Sequence, residues 1–205
     1  MALLDHKPAS DGLARELCAG ERFLSAGDSG PVWQVVKGLL RLEMKEPSGS
    51  GLVHLAQTGD LIGAESVLSQ PYTFGVTAVV PSQLRTVDLE TEVHRVLVLA
   101  TAFKQGQQRA ADVMRLREGS VAQRLDHLLD LLQRATGENI ADVRQRQLPT
   151  LRDIATILNA APESVCRNLT QRLGRRTMLG IGKSGARSNV VPIASRIIKS
   201  AALQP

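Results

Sequence analysis

The sequence has few cysteines, no long apolar run and no signal-like start. Its 205 residues contain only Cys18 and Cys166, too few for a disulfide framework. No stretch reaches the roughly 18 consecutive apolar residues that a membrane-spanning helix needs. The opening, MALLDHKPASDG, lacks a basic stretch followed by an apolar one, which argues against a secretory signal. We therefore expect a soluble, cytoplasmic protein with no membrane partner.

Charge is distributed unevenly along the chain. Residues 1–100 hold 8 Lys and Arg against 12 Asp and Glu, whereas residues 101–205 hold 17 against 8, so the halves carry −4 and +9. A positive field of this kind is typical of proteins that bind nucleic acid or an anionic membrane surface. The alternative is a basic face that serves only solubility.

The acidic half has the pattern of a β domain. Leu40, Leu42 and Met44 alternate with charged residues, and this period of two predicts a half-buried strand. Further short apolar runs, LVHLA, FGVTAVV and LRTVDLE, are separated by turn signals such as PSGSG and QTGD. Many short strands at this spacing favour an antiparallel sandwich or barrel of the jelly-roll type.

The period changes after Glu90. Seven apolar residues follow at spacings of seven, four and three, which is typical of one or two amphipathic helices. They are Phe103, Ala110, Met114, Val121, Leu125, Leu128 and Leu132. Gly106 and Gly119 argue against a single rod. The stripe fits a helix packed on its own domain as well as it fits a dimer seam.

Two short helical patterns follow, joined near Asn159. Leu151, Ile154, Ala155 and Leu158 share one face of the first pattern, and Val165, Leu169 and Leu173 share one face of the second. Asn159 suits a left-handed C-terminal residue, and Pro162 suits the first position of a helix. The spacing predicts a helix-turn-helix motif.

The outward face of the second helix carries side chains that can contact bases. Arg167 could donate two hydrogen bonds to guanine, and Glu163 could accept a hydrogen bond from the amino group of cytosine. The alternative is an ion pair between the two side chains, because they are four residues apart on the helix. Nearby cations could contact phosphates. They are Arg152, Arg172, Arg175, Arg176, Lys183 and Arg187.

The run MLGIGKSGARSNVVPI predicts a β hairpin, which after a helix-turn-helix would be the wing of a winged-helix domain. Its Gly-Lys-Ser is not a phosphate-binding loop, because the first glycine of that motif is absent at the required distance.

In this order of elements the chain resembles the CRP/FNR family of bacterial transcription regulators. The stretch GDLIGAESVL resembles the sensor-domain signature of that family, and PESVCRNL followed by RRTMLGIGK resembles its recognition helix and wing. The resemblance implies an α+β fold with an antiparallel jelly-roll sensor domain at residues 1–100, a connecting dimerisation helix at 101–120 and a winged helix-turn-helix at 121–205. It implies a homodimer that binds double-stranded DNA and has no enzymatic activity.

The resemblance also assigns roles to residues. Glu163 and Arg167 fall where members place base-contacting residues, Ser164 falls on a supporting position, and Thr150 and Arg152 match positions near the phosphate backbone. Arg172, Lys183 and Arg187 complete the predicted backbone contacts.

The sensor signature departs from the cyclic-nucleotide pattern. Members that hold a cyclic phosphate use a Gly-Glu pair and an Arg-Ser or Arg-Thr pair, whereas the matching positions here are Gly63-Ala64 and Phe74-Gly75, with Glu65 one residue late. A buried phosphate without its arginine would cost several kcal/mol. Cyclic AMP is therefore disfavoured, and these five residues would line an apolar site or no site.

Other cofactors have little support in the sequence. An iron–sulfur cluster needs about four thiolates, and two cysteines are too few. Haem stays open, with an axial ligand available from the four histidines, although a lone histidine is more often an ordinary surface or core residue. They are His6, His54, His94 and His127. Cys166 is a redox switch only if Arg167 acidifies its thiol.

Two other classes of protein are alternatives. A nucleic-acid-processing enzyme with a winged helix would need a carboxylate cluster, but Asp60, Glu65 and Asp88 are scattered. A winged-helix protein-interaction module would need an apolar outward face on its second helix. RNA polymerase is a further partner if the protein is an activator, and a small-molecule effector is possible without being identified by the sequence.

Overall fold

The computed structural model describes residues 13–46, 49–137 and 148–173. The predicted wing, with Lys183 and Arg187, lies outside the described residues. Most of the polar connection before Pro149 also lies outside them. Among the described helices, none is both long and apolar enough to cross a lipid bilayer.

Within the described residues, eight strands form two antiparallel sheets of four strands each. The strands are β1 (Ala14–Leu17), β2 (Arg22–Leu24), β3 (Trp33–Lys37), β4 (Leu39–Glu46), β5 (Gly49–Gln57), β6 (Leu61–Ile62), β7 (Gly75–Ala78) and β8 (Ser82–Thr86). One sheet has the order β1-β8-β3-β6 and the other β2-β7-β4-β5. Buried residues of both sheets, among them Val35, Leu42 and Val76, form one core between them. The sequence predicted an antiparallel sandwich or barrel, and the antiparallel sheets are confirmed.

Strand β4 departs from simple alternation. Leu40 and Leu42 are buried as predicted, but Met44 is 44% exposed and Glu43 is only 8% exposed. The second face of β4 is covered because the helical part of the chain packs against it. Arg41 on that face pairs with Asp153, a residue far along the chain. The strand is therefore covered on both faces along much of its length.

In the part of the chain that the structure describes, four α helices follow the strands, and a short 3₁₀ helix, Ala64–Leu68, lies between β6 and β7. They are α1 (Glu92–Arg117), α2 (Val121–Thr136), α3 (Leu151–Leu158) and α4 (Pro162–Leu173). The connecting helix expected at 101–120 thus begins earlier, at Glu92. Gly119, with φ of +82°, breaks the chain direction, and Ser120 then caps α2 through a reciprocal capping box with Gln123.

The apolar stripe seen in the sequence belongs to two different surfaces. Leu125, Leu128 and Leu132 of α2 are buried, whereas Phe103 and Met114 of α1 are 73% and 58% exposed. The break at Gly119 separates these two sets of residues, so that their common spacing does not give a common face.

The helices and one edge of the sandwich share a hydrophobic core. Leu39 of β4 and Leu55 of β5 pack in the same buried cluster as Leu128, Ile154 and Val165 of the helices. Burial of large aliphatic side chains is worth about 1.5–3 kcal/mol each. This shared core holds α2, α3 and α4 against the β domain.

Candidate nucleic-acid interface and sensor cavity

Helices α3 and α4 form a two-helix unit with a three-residue connection, as predicted. Asn159 ends α3 in the left-handed conformation, with φ of +47°, and the N–H of Ala160 returns to the carbonyl of Ala155 at 3.0 Å. Pro162 begins α4, and Val165 and Leu169 are fully buried. This packing fixes which side of α4 points away from the protein.

The outward side of α4 is polar and accessible. Glu163 and Arg167 are exposed, and Ser164 is half-buried. No ion pair joins Glu163 to Arg167 within the described part of the chain. By contrast, Asn168 and Thr170 donate side-chain hydrogen bonds of 2.8 Å to backbone carbonyls one turn earlier. Arg167 and Glu163 are therefore available to an external partner.

The start of α3 holds the two residues predicted to approach a phosphate backbone. Thr150 caps the helix by accepting a hydrogen bond from the N–H of Asp153 at 3.1 Å, and its hydroxyl donates to the Asp153 carboxylate at 2.6 Å. The side chain of Arg152 is exposed one residue into the helix. Thr150 thus has a structural role in the free protein, whereas Arg152 points to solvent.

Arg172, the third predicted backbone contact, has partners within the chain. Its guanidinium forms a bidentate ion pair with Asp126 of α2, in which Nη2 donates to Oδ2 at 2.7 Å, and it also donates to the carbonyl of Ala122 at 3.1 Å. The hydrogen bond from Arg172 lowers the pKa of Asp126. These contacts join α4 to α2.

The sensor candidates lie around one cavity of about 350 Å³ between the β domain and helix α1. Gly63, Ala64, Glu65 and Phe74 line it, and Gly75 is not among the described residues that do so. A Cβ on Gly75 would instead lie 3.1 Å from a guanidinium nitrogen of Arg22 on the neighbouring strand β2. The structure therefore brings four of the five candidates together.

Most of the remaining cavity wall is apolar and comes from distant parts of the chain. Strands β2, β4, β6 and β7 contribute Leu24, Leu42, Leu61, Ile62 and Val76, and helix α1 contributes Leu99, Ala102, Gln105 and Gly106. These residues were not among those predicted from the sequence. The inward alternation of β4 would have identified Leu42, but nothing local to α1 indicates that Leu99 and Ala102 face the sensor signature.

Tyr72 and Glu65 shape the loop beside the cavity. The Tyr72 hydroxyl donates to the carbonyl of Pro31 at 2.7 Å, and its ring lies where a side chain at Gly63 would be, so glycine is required there. Gly63 also has φ of +75°. The Glu65 carboxylate accepts a hydrogen bond from the N–H of Thr73 at 3.0 Å. Glu65 thus stabilises the loop that carries Phe74.

His54 of β5 places an imidazole in the cavity wall. Its ring meets Phe74 edge to face with centroids 6.3 Å apart. Burial lowers the pKa of His54, and the adjacent backbone of Leu55 offsets only part of this effect. The buried Nδ1 makes no hydrogen bond of normal geometry within the described residues. At neutral pH the cavity therefore contains a neutral imidazole.

A cluster of buried charged and polar side chains connects the β domain to α1 and α2. Arg109 of α1 lies between Asp60, at 3.1 Å, and Asp112, and Nε2 of His127 on α2 is 3.3 Å from the other oxygen of Asp112. Burial raises the pKa of Asp60 and lowers that of His127. Gln105 adds two hydrogen bonds to the backbone of Leu61, at 2.7 and 2.9 Å.

The histidine, cysteine and carboxylate side chains considered for metal binding or redox chemistry do not form such sites among the described residues. Within residues 13–46, 49–137 and 148–173, no three His, Cys, Asp or Glu side chains form a group that could hold a metal ion. Cys18 is exposed on the β domain and Cys166 is half-buried on α4, and neither forms a disulfide.

Comparison with known proteins identifies the β domain. Residues 14–92 match the cyclic nucleotide-binding domain family. The comparison with curated protein sequences gives no significant match.

Several solved structures share the fold of the chain. A CRP-family transcriptional regulator of Thermus thermophilus is 19% identical with a TM-score of 0.58, over 78% of this chain and 85% of its own. A second regulator from that organism, of the CRP/FNR family, is 21% identical with a TM-score of 0.57, over 79% and 87%. FixK2 of Bradyrhizobium japonicum is 22% identical with a TM-score of 0.58, over 86% and 90%.

These matches cover between 78% and 86% of the chain, and they agree with the resemblance drawn from the sequence signatures. Identities this low establish fold and leave site chemistry to the residues themselves. Residues 14–92 match the cyclic nucleotide-binding domain family, and the chain shares its fold with solved structures of CRP/FNR transcriptional regulators.

Proposed function

We propose that the protein is a sequence-specific DNA-binding transcription regulator that acts as a homodimer and is not an enzyme. Each α4 would enter a major groove, and the two recognition helices would lie about 34 Å apart on a near-palindromic site. The fold shared with CRP/FNR regulators supports this proposal. The single observation that carries it is the exposed polar face of α4.

That face has the chemistry for base contacts. Arg167 presents a guanidinium that can donate two hydrogen bonds to guanine, and Glu163 can accept from the amino group of cytosine. Ser164 lies beside them and supports their placement. Because Glu163 and Arg167 are exposed and not paired with each other, neither must break an ion pair between them to contact a base.

Contacts to phosphates would surround the recognition helix. Arg152 is exposed at the start of α3, next to the capping residue Thr150. Lys183 and Arg187, outside the described residues, would extend these contacts through the predicted wing. Arg172 would have to leave Asp126 to reach a phosphate, so we give it a smaller part.

The exposed side of α1 supports a dimer. Val93, Val96, Phe103 and Met114 are between 58% and 73% exposed, and they are spaced by 3, 7 and 11 residues, which is about one, two and three helical turns. Large apolar side chains in a row on one helix are costly in water and are typical of a surface that another chain covers. A second copy of α1 is the occupant that a symmetric regulator requires.

The protein as purified can be tested by selecting bound duplexes from a random-sequence pool. We expect enrichment of a two-fold symmetric sequence, and Arg167→Ala should abolish enrichment at one base pair in each half-site. Enrichment of no sequence at low salt would contradict the proposal.

A nuclease assay with Mg²⁺ on the same preparation tests the enzyme alternative, for which we expect no cleavage. RNA polymerase would be a further partner if the regulator activates.

A further inference from the structure

We propose that the cavity of the β domain binds an uncharged, largely apolar small molecule, with His54 as its polar contact, and that it does not bind an anionic nucleotide. This deepens the proposed function, since it names the chemical class of the effector. It concerns binding to the cavity between the β domain and α1, and it can be tested without DNA.

The size and wall of the cavity fit this class of ligand. A volume of about 350 Å³ lies within the usual range for small-molecule sites, which are mostly apolar with a few placed polar groups. Leu42, Val76 and Phe74 form the wall on the sheet side, and Leu99 and Ala102 form it on the helix side. Leu68 is 62% exposed at the rim, so the cavity is open to solvent there.

The charges around the cavity disfavour an anion. No lysine or arginine is among the described residues that line it, whereas the carboxylate of Glu65 does line it. An anion there would lose its hydration without gaining a cation, and this transfer is strongly unfavourable. Arg22 lies beside Gly75, but it is not among the described lining residues.

The polar side chains in the cavity wall differ in whether they can form a hydrogen bond with a ligand. The Tyr72 hydroxyl is bound to Pro31, and both ends of the Gln105 amide are bound to the backbone of Leu61. His54 also lines the cavity, and its contact with the backbone of Leu55 engages only one of its two ring nitrogens. A neutral imidazole can offer one donor or one acceptor to an uncharged ligand. The ring nitrogen that Leu55 does not engage would gain a partner when such a ligand binds.

The helix side of the cavity connects it to the proposed dimer surface. Gln105 joins α1 to β6 through hydrogen bonds to the backbone of Leu61. Its neighbours Ala102 and Gly106 line the cavity. Phe103, the next residue after Ala102, is about 100° further around the helix and is 73% exposed. A ligand that presses on Ala102 therefore contacts the helix that would join the two copies.

The test uses two fluorescent probes with the same aromatic framework on the full-length protein. N-phenyl-1-naphthylamine is uncharged, and 1-anilinonaphthalene-8-sulfonate adds a sulfonate. We expect the neutral probe to bind at least about tenfold more tightly, because the cavity gives the anion no cation. Cyclic AMP should not displace it. Tighter binding of the sulfonate, or displacement by cyclic AMP, would overturn the proposal.

Variants identify the binding site. Ala102→Trp and Ala64→Trp fill the cavity from opposite walls, and each should weaken binding of the neutral probe by at least about tenfold, whereas Ala26→Trp, at an exposed turn, should not. His54→Phe keeps the ring and should weaken binding about threefold to tenfold. Circular dichroism checks that each variant is folded. Unchanged binding in both folded Trp variants would contradict the assignment, and would leave the DNA-binding proposal untouched.

Discussion

Arg41 and Asp153 form an ion pair between the β domain and the start of helix α3, with Nη1 of Arg41 2.9 Å from Oδ1 of Asp153. Arg41 is also 3.1 Å from the carboxylate of the buried Glu43, and Asp153 is held by the capping residue Thr150. The β domain therefore contacts the helix-turn-helix at the residue that closes the first turn of α3.

Removal of Arg41 is expected to destabilise the protein. Arg41→Met keeps much of the aliphatic length but leaves Glu43, only 8% exposed, without its cation, and should lower the free energy of unfolding by about 1–3 kcal/mol. Urea denaturation measures the change. The double variant Arg41→Met/Glu43→Gln should recover part of the loss, whereas a simple sum of two losses would show that the two side chains are not coupled.

Arg167 and Arg152 are expected to contribute differently to DNA binding. Arg167→Ala should cost about 1–3 kcal/mol on the selected site and little on random duplex. Arg152→Ala should weaken binding to both and lower the slope of log affinity against log salt by about one. Fluorescence anisotropy titrations across a salt series measure both quantities. Equal losses on both duplexes for Arg167→Ala would reassign that residue to a phosphate contact.

Phe103 is expected to be buried in a homodimer. Phe103→Glu places a charge in the apolar row of α1 and should raise the dissociation constant of the dimer by at least about tenfold. Gln108→Glu adds the same charge at an exposed polar position of the same helix and serves as the control. Sedimentation equilibrium measures both variants. A monomeric wild-type protein at micromolar concentration would remove this role for α1.

Arg172 is expected to act mainly within the chain. The pair with Asp126 is partly exposed, with 24% and 56% of the two side chains accessible, so solvent screening limits its contribution to about 1 kcal/mol or less. Arg172→Met, Asp126→Asn and the double variant should therefore lose similar amounts of unfolding free energy. The salt slope of DNA binding should be unchanged in Arg172→Met. A slope lower by one would instead indicate a phosphate contact.

His127 is expected to make stability depend on pH. Burial lowers its pKa below the ordinary value near 6.5, with Arg115 and Arg134 acting in the same direction and Asp112 opposing them. Just below pH 6.5 the unfolded chain therefore binds more protons than the native state does. The contribution of His127 to the free energy of unfolding is complete above that pH and is lost as pH falls.

Wild type should lose more unfolding free energy between about pH 7.5 and 5.5 than His127→Gln does. Asp60, whose pKa is raised by burial, acts in the opposite direction but is present in both proteins and cancels in the comparison. Urea denaturation at the two pH values measures this difference. Equal losses in the two proteins would show that His127 does not titrate differently on folding.

The sequence by itself determined the features that depend on neighbouring residues. The ending of α3 at Asn159 and the start of α4 at Pro162 follow from local backbone preferences, and the spacing of Val165 and Leu169 selects the buried face of α4. The antiparallel strands were likewise predictable from their short alternating runs. The cavity was predicted only in part, through Gly63, Ala64, Glu65 and Phe74.

Tertiary structure alone decided how these elements meet. Arg41 and Asp153 are separated by 112 positions, and Leu99 of α1 meets Phe74 of the β domain across one cavity. The apolar period that continues from Phe103 to Leu132 also divides into an exposed and a buried face only because Gly119 changes the direction of the chain. Local patterns specify the periodicity and ends of an element, whereas its neighbours depend on packing between distant segments, which spacing along the chain does not encode.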